Sequence, residues 1–251
     1  MISFRDLLAS LNRAAFGTWV KLPTTDSVEL LAVAGFDFLV IDMEHAPLDL
    51  STVHQLLAVA AGRRVPALVR VPDRSPSVIS RVLDSGAAGV LVPHVDTGAD
   101  AAAVVSAARF PPHGSRGYGP TVRAGGWGTD PDGYRSSGET AAVIPQLESR
   151  QAVNAVRQIA AVDGLGALFL GPADLAVATG LAASSAEFAA LLQTVESAAK
   201  ELGLPLGTAT GTPAAAAELA RRYDFVMVSN DATILGSGAR ELLERSRSCA
   251  S

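Results

Sequence analysis

The residues best suited to chemistry in this chain fall in small groups, each closing a short apolar run. Asp42, Glu44 and His45 follow DFLVI, Arg70 ends PALVR, and Pro93 and His94 follow AGVLV. Gln146 lies near the end of AVIPQL and Glu148 follows it, Gly171, Pro172, Ala173 and Asp174 follow GALFL, and Asn230 and Asp231 follow DFVMV. Glu148 and Asp174 are separated carboxylates of the kind that hold a hard divalent cation while leaving it several waters. A 2-oxo acid chelates such an ion through one carboxylate oxygen and its keto oxygen. The ion is then a Lewis acid that spreads carbanion charge onto oxygen. Arg70 offers a charged fork for the enolate or the carboxylate. His45 can move a proton, directly or through a water on the metal, if a carboxylate orients its ring.

Taken singly, each residue has a plainer role. A carboxylate at a strand end is often a helix cap or an ion-pair partner. Arg70 alone reads equally as a salt-bridge residue, and His45 alone as a surface histidine. His54 sits inside a helical stretch and reads as structural or solvent-facing; Pro93–His94 either lines a mouth or turns the chain. Asp163 and Asp231 read as ordinary caps. What favours chemistry is convergence, because independent structural roles would not need to share one face. Other chemistries lack their signatures: there is no P-loop, HExxH, nucleophile elbow or usable GxGxxG after the first strand. A Schiff-base mechanism wants a lysine buried on a strand. Lys200 lies in a helical stretch and Lys21 beyond the first strand.

For these groups to share a face, the runs that precede them must be parallel strands. Runs at about 15–20, 37–41, 66–70, 88–92, 142–147, 166–170, 205–208 and 224–228 read as strands. Between them, 26–35, 50–61, 75–85, 97–108, 149–161, 185–202, 213–222 and 231–246 carry apolar residues at helical spacing. Near-continuous apolar strands alternating with helices indicate a parallel sheet covered on both faces. Eight such units make a single (β/α)8 TIM barrel over residues 1–251, of α/β class, with its chemistry at the strands' C-terminal ends. Caps fit this reading: Thr25 or Asp26 before a helix that stops at Gly35, Asp49 or Ser51 before the next, and Asp73 or Ser75 ahead of Pro76. The long connection 109–141, rich in glycine, proline and arginine, is expected on the C-terminal face, where Arg116 and Arg123 would form a basic patch for an anionic partner or a second carboxylate.

Composition narrows the class. Of 251 residues, 49% are hydrophobic and 18% charged, enough for a large core without staples. The net charge of −5 argues against nucleic acid as a partner. No charged-then-apolar leader opens the chain, and no apolar run reaches the roughly 18 residues of a membrane span. The single cysteine, Cys249, leaves neither a disulfide framework nor a thiolate metal site, so the expected compartment is the cytoplasm.

The segments GFDFLVIDMEHAPLDL, PALVRVP, VLDSGAAGVLVPHV, RFPPHGSRGYG, IPQLESRQAV and LFLGPADLA, in this order and spacing from about residue 16 to 235, resemble the HpcH/HpaI aldolase family. These are class II, metal-dependent pyruvate aldolases of the 4-hydroxy-2-oxoheptane-1,7-dioate aldolase type, with a phosphoenolpyruvate/pyruvate-type barrel. The resemblance implies Glu148 and Asp174 as ligands of Mg2+, Mn2+ or Co2+. It implies His45 as the acid–base residue with Asp84 as its acid partner, and Arg70 as the contact to pyruvate and its enolate. Gln146, Gly171, Pro172 and Ala173 become substrate-binding positions. It further implies a homo-oligomer, a hexamer built as a trimer of dimers, in which neighbouring chains complete the pocket and the helix at about 231–246 lies at an interface. The sequence differs from many members at Met43, Ala176 and Asn230, and most in 205–230, which shapes the pocket for the aldehyde.

The expected reaction is therefore cleavage or formation of a 4-hydroxy-2-oxo acid, from or to pyruvate and an aldehyde, through an enolate held at the metal. The alternative on the same residues is an oxaloacetate decarboxylase, or a synthase joining an oxaloacetate- or pyruvate-derived enolate to another electrophile. A non-catalytic barrel that binds oxo acids would have no need of His45.

Overall fold

The alternation of apolar runs and amphipathic stretches resolves into eight parallel strands in a closed barrel, ordered β1 to β8 around the ring. This computed structural model describes residues 3–250. The strands are β1 (Ala15–Val20), β2 (Phe38–Asp42), β3 (Ala67–Arg70), β4 (Gly89–Val92), β5 (Ala142–Leu147), β6 (Leu168–Leu170), β7 (Leu206–Thr210) and β8 (Phe225–Asn230). Each agrees with its expected run to within two residues at either end. β2, β3, β4, β5 and β6 are buried at every position, as a sheet covered on both faces requires.

Helices α1 (Phe4–Ser10), α2 (Thr25–Ala34), α3 (Leu50–Gly62), α4 (Pro76–Asp84), α5 (Gly98–Ala108) and α6 (Pro131–Thr140) precede β5. After it come α7 (Arg150–Asn154), α8 (Val156–Ala160), α9 (Pro172–Thr179), α10 (Ala186–Leu202), α11 (Pro213–Leu219) and α12 (Asp231–Ala250). The expected helix at 149–161 is thus broken in two, with Ala155 outside helical geometry. The caps obey local chemistry: Thr24, one residue earlier than expected, accepts from the Asp26 N–H, and Asp49 from that of Thr52. Gly35 ends α2 in the left-handed region.

Two apolar clusters hold the molecule. The larger lies between barrel and helices, with Leu39, Ile41, Leu56, Val69, Val90, Val143 and Leu170 among its members. The smaller fills the barrel with residues pointing the other way, including Phe38, Leu68, Leu91, Ile144, Phe169 and Phe225. α1, which sequence periodicity did not show, packs the fully buried Phe4 edge-on against Phe38 at 5.1 Å and Phe225 at 5.2 Å. Gly17 and Gly207 make room for these rings: a Cβ on either would collide with Phe38 or Phe225.

One expectation is overturned. The long connection 109–141 lies at the strands' N-terminal end and not at the C-terminal face. α5 has already carried the chain back down from β4, so the segment links the foot of α5 to the start of β5. There Ala142 pairs with Gly89 and its N–H donates to the Ala88 carbonyl. Its arginines are structural. Arg109 donates to the carbonyls of Gly138 and Gly164. Arg116, buried over the rings of Phe110 and Tyr134, donates to Asp84. Arg123 meets the His54 Nε2 at 2.7 Å and tethers the segment to α3.

Candidate active site

Parallel pairing sets the site. Asp42 and Arg70 end neighbouring strands as register partners, so both reach the same rim. The Arg70 Nε and Nη2 donate to the two Asp42 oxygens at 2.8 and 2.7 Å, a two-point clamp between buried side chains. Trp19 on β1 lies beneath the guanidinium, 4.0 Å from ring centre to Cζ. Lys21, just past β1, adds a contact to Asp42 at 2.8 Å. Burial alone would raise the Asp42 carboxyl, but Arg70 and then Lys21 outweigh it and hold it at about 2. Asp42 also accepts the backbone N–H groups of Glu44 and His45, which fixes the turn carrying them.

Beside this clamp stand three further groups: one oxygen each of Glu44 and Glu148 and a ring nitrogen of His94, all within 4.8 Å of one another. Glu148 accepts from the His94 backbone N–H at 2.8 Å and from Gln146 Nε2. Glu44 Oε2 lies 3.1 Å from Arg70 Nη1 but out of line for a hydrogen bond. Burial pushes the Glu44 carboxyl up against the opposing pull of Arg70 and His45, and the nearby Glu148 adds to the rise. Two buried carboxylates this close repel unless a cation or a proton sits between them. Glu44 Oε2 and Gln146 Oε1 are buried without a hydrogen-bond partner. This donor set of two carboxylates and an imidazole, with acceptor oxygens to spare, fits a divalent metal.

Asp174 closes the same rim. A Cβ placed on Gly171 would be 3.5 Å from Gln146 Nε2, 3.6 Å from the Glu148 Cβ and 3.7 Å from Asp174 Oδ2. Gly171 therefore sits among Gln146, Glu148 and Asp174, although Asp174 is not one of the three gathered groups. Pro172 opens α9, with Ala173 and Asp174 in its first turn. Only at Leu175 does a backbone N–H find the first helical acceptor, Gly171 O at 3.0 Å. The N–H groups of Ala173 and Asp174 thus point out of the helix start, the usual seat of a carboxylate. His45 is half-exposed at the rim, its Nε2 3.9 Å from Glu44 Oε2.

Asp84 is not brought to His45. It is the last residue of α4, at the opposite end of the barrel, where Arg116 and the Tyr134 hydroxyl donate to one of its oxygens at 2.6 and 2.7 Å. Asp231 is more than a helix cap: buried, it accepts from the backbone of Lys21 and Leu22 and from the Ser27 hydroxyl, fastening the start of α12 to the loop after β1. His94 is the site residue whose role the sequence left open, and Asp42 and Glu44 are the ones given no role. A strand-final aspartate beside a strand-final arginine was the signal for that clamp. A cavity of about 740 Å3 opens instead at the N-terminal end, among Arg5, Arg13, Leu165 and Tyr223. None of the strand-end acids lines it, so the chemistry singles out the rim.

The family model for HpcH/HpaI aldolase/citrate lyase matches residues 15–229. The 5-keto-4-deoxy-D-glucarate aldolase of Citrobacter koseri is 38% identical over 96% of this chain and 95% of its own length. The 2-dehydro-3,6-dideoxy-6-sulfogluconate aldolase of Pseudomonas putida is 34% identical over 92% and 91%. A crystal structure of an HpcH/HpaI aldolase/citrate lyase family protein from Burkholderia cenocepacia J2315 superposes with a TM-score of 0.92, at 36% identity, over 98% of this chain and all of that one.

Proposed function

The chain belongs to the HpcH/HpaI aldolase/citrate lyase family and is a carbon–carbon lyase of the metal-dependent aldolase kind, and from that premise we propose that it cleaves a 4-hydroxy-2-oxo acid reversibly to pyruvate and an aldehyde. The observation that carries this reading is the buried Arg70 set beside Glu44 and Glu148, where one oxygen each of Glu44 and Gln146 is left without a hydrogen-bond partner. Glu148 and Asp174, with Glu44 and His94 close by, are the residues that would hold the ion. A divalent cation there would supply Lewis acidity toward the keto group.

The residues account for the rest. The substrate carboxylate sits against the free N–H groups at the start of α9, where the helix dipole favours an anion. Arg70 has given Nε and Nη2 to Asp42, so Nη1 is the donor left for the oxygen that gains charge. Because the guanidinium is locked by Asp42 and Trp19, that donor is set before the charge develops. His45 takes the proton from the 4-hydroxyl; the C3–C4 bond breaks, C4 leaves as the aldehyde, and the pair passes toward C3 and the former keto oxygen. Return of a proton to C3 gives pyruvate. The oxo acid cleaved is of the deoxy sugar-acid kind printed in the relatives' names.

The active form we propose is a homo-oligomer in the cytoplasm, a hexamer arranged as a trimer of dimers with α12 at an interface. A neighbouring chain presents its N-terminal face, and with it Asp84, to the rim. Support comes from Asp84 lying beyond reach of His45 in its own chain, and from exposed apolar residues on α12: Ile234, Leu235, Leu242 and Leu243.

The test is pyruvate release from a racemic 4-hydroxy-2-oxo acid, with oxaloacetate alongside, in Mg2+ or Mn2+ and again in EDTA. Release from the hydroxy acid that vanishes with EDTA and in Glu148→Ala is the expected result. Consumption of oxaloacetate alone would replace the aldolase with a decarboxylase or synthase on the same enolate chemistry.

A further inference from the structure

His94 occupies an unusual place in this donor set. It follows β4 with φ at 55°, a left-handed conformation that non-glycine residues seldom adopt. In that conformation both its main chain and its ring address one carboxylate. The backbone N–H lies 2.8 Å and the ring Nδ1 2.9 Å from Glu148 Oε1. The ring Nε2 is 3.7 Å from Glu44 Oε1. Two ligands side by side on an octahedral ion with bonds of about 2.1 Å stand about 3.0 Å apart, so the imidazole nitrogen and the carboxylate oxygen already have the spacing of neighbouring ligands. The buried side chains next to them, Glu44 and Gln146, each keep an oxygen with no hydrogen-bond partner.

We propose that His94 is a nitrogen ligand of the active-site ion, making this a mixed nitrogen–oxygen centre that selects Mn2+ or Co2+ over Mg2+. The inference rests on the reading that a divalent ion occupies these acids. Mg2+ is a hard ion that favours oxygen and holds its waters, whereas imidazole suits the transition metals and gains strength from Mn2+ towards Co2+. An imidazole among the ligands therefore lowers the standing of Mg2+ relative to the others. The His94 side chain is 68% exposed at the mouth, so the ion can keep water on that side. His45 is a poorer candidate for the same role, because its ring meets Glu44 at 3.9 Å and is not among the three groups that gather.

The experiment is metal titration and pulsed electron paramagnetic resonance of the full chain loaded with Mn2+. The comparison variant is His94→Gly, which keeps the left-handed backbone free of strain. In the unaltered protein, bound Mn2+ should show modulation from a coordinated 14N, which histidine labelled with 15N converts to the 15N pattern without any mutation. In His94→Gly that modulation should disappear, and Mn2+ and Co2+ should bind about tenfold or more weakly while Mg2+ changes about threefold or less. Nitrogen modulation that persists unchanged in His94→Gly, or an equal loss for all three ions, would overturn His94 as a ligand and leave the metal reading standing. Failure of the unaltered protein to bind Mn2+ or Co2+ at all would overturn both.

Discussion

At the level of single residues, the site depends on one cation that cannot move. Arg70 is buried, clamped at two points by Asp42 and backed by Trp19, so its remaining nitrogen, 3.1 Å from Glu44 Oε2, is held in a fixed direction. Lysine would keep the charge but lose the fork, and with it both the clamp and the aim of the donor. Arg70→Lys is therefore expected to lower kcat by about a hundredfold or more, the usual worth of one preorganised donor to a developing oxyanion, with a smaller effect on KM. Steady-state kinetics on the preferred 2-oxo acid would check this; an unchanged kcat would remove Arg70 from the reaction. Arg70→Ala should also destabilise the fold, by about 3–5 kcal/mol, because it strips a buried carboxylate of its partner. This scale was partly legible in the sequence. Arg70, Glu148 and Gln146 could be placed at strand ends from apolar runs alone. The clamp by Asp42, and the meeting of Glu44 with His94 across β2 and β4, depend on how far each turn carries its side chain, which no spacing in the chain reveals.

At the level of elements, the barrel needs its inner layer filled and its first two strands tied at their start. Phe4 of α1 fills the foot of the barrel against Phe38 and Phe225. Phe4→Ala should cost about 3–5 kcal/mol, since these rings have no room to collapse into the gap. Thermal or denaturant unfolding would measure it, and a loss well under 1 kcal/mol would show α1 to be dispensable. The tie is Asp37, which accepts two bonds from Arg13 at 2.7 Å and one from the Phe16 backbone at 2.8 Å. Burial by itself would raise this carboxyl, but Arg13 and the Phe16 N–H bring it below the ordinary 3.8. A carboxyl lowered on folding stabilises the folded state above its unfolded value, and that contribution fades as pH falls from 3.8 through the lower folded value. Stability measured from pH 6 down to 2.5 should therefore fall less steeply in Asp37→Asn than in the unaltered chain; parallel curves would mean the tie contributes nothing. The eight strands were legible because their burial on both faces writes continuous apolar runs. α1 was not, because seven residues are too few for a period to stand out. The side of the barrel taken by 109–141 does not follow from its place after β4, because α5 first returns the chain to the strands' N-terminal end.

At the level of the whole molecule, one chain carries the residues proposed for the site at opposite ends. His45, Arg70 and Glu148 line the C-terminal rim, while Asp84 is held by Arg116 and Tyr134 at the N-terminal end. Arg116 and Tyr134 do for Asp84 what Asp42 does for Arg70: they fix one carboxylate where it faces outward, its side chain 26% exposed. No bending of a closed barrel brings those ends together, since the packed interior between them includes Phe38, Phe169 and Phe225. If Asp84 orients His45, it does so from a second chain, and that relation can be tested by mixing. Asp84→Asn and His45→Gln chains should each be nearly inactive alone. Assembled together, by co-expression or by unfolding and refolding as a mixture, they should regain activity, because some rims then pair an intact His45 with an intact Asp84 from the neighbour. The ratio of the two chains should set the size of the gain, with a maximum near equal amounts. Mixed assemblies that form by mass but stay inactive would confine the function of each rim to its own chain, and would leave the bonds from Arg116 and Tyr134 to Asp84 as part of the fold alone.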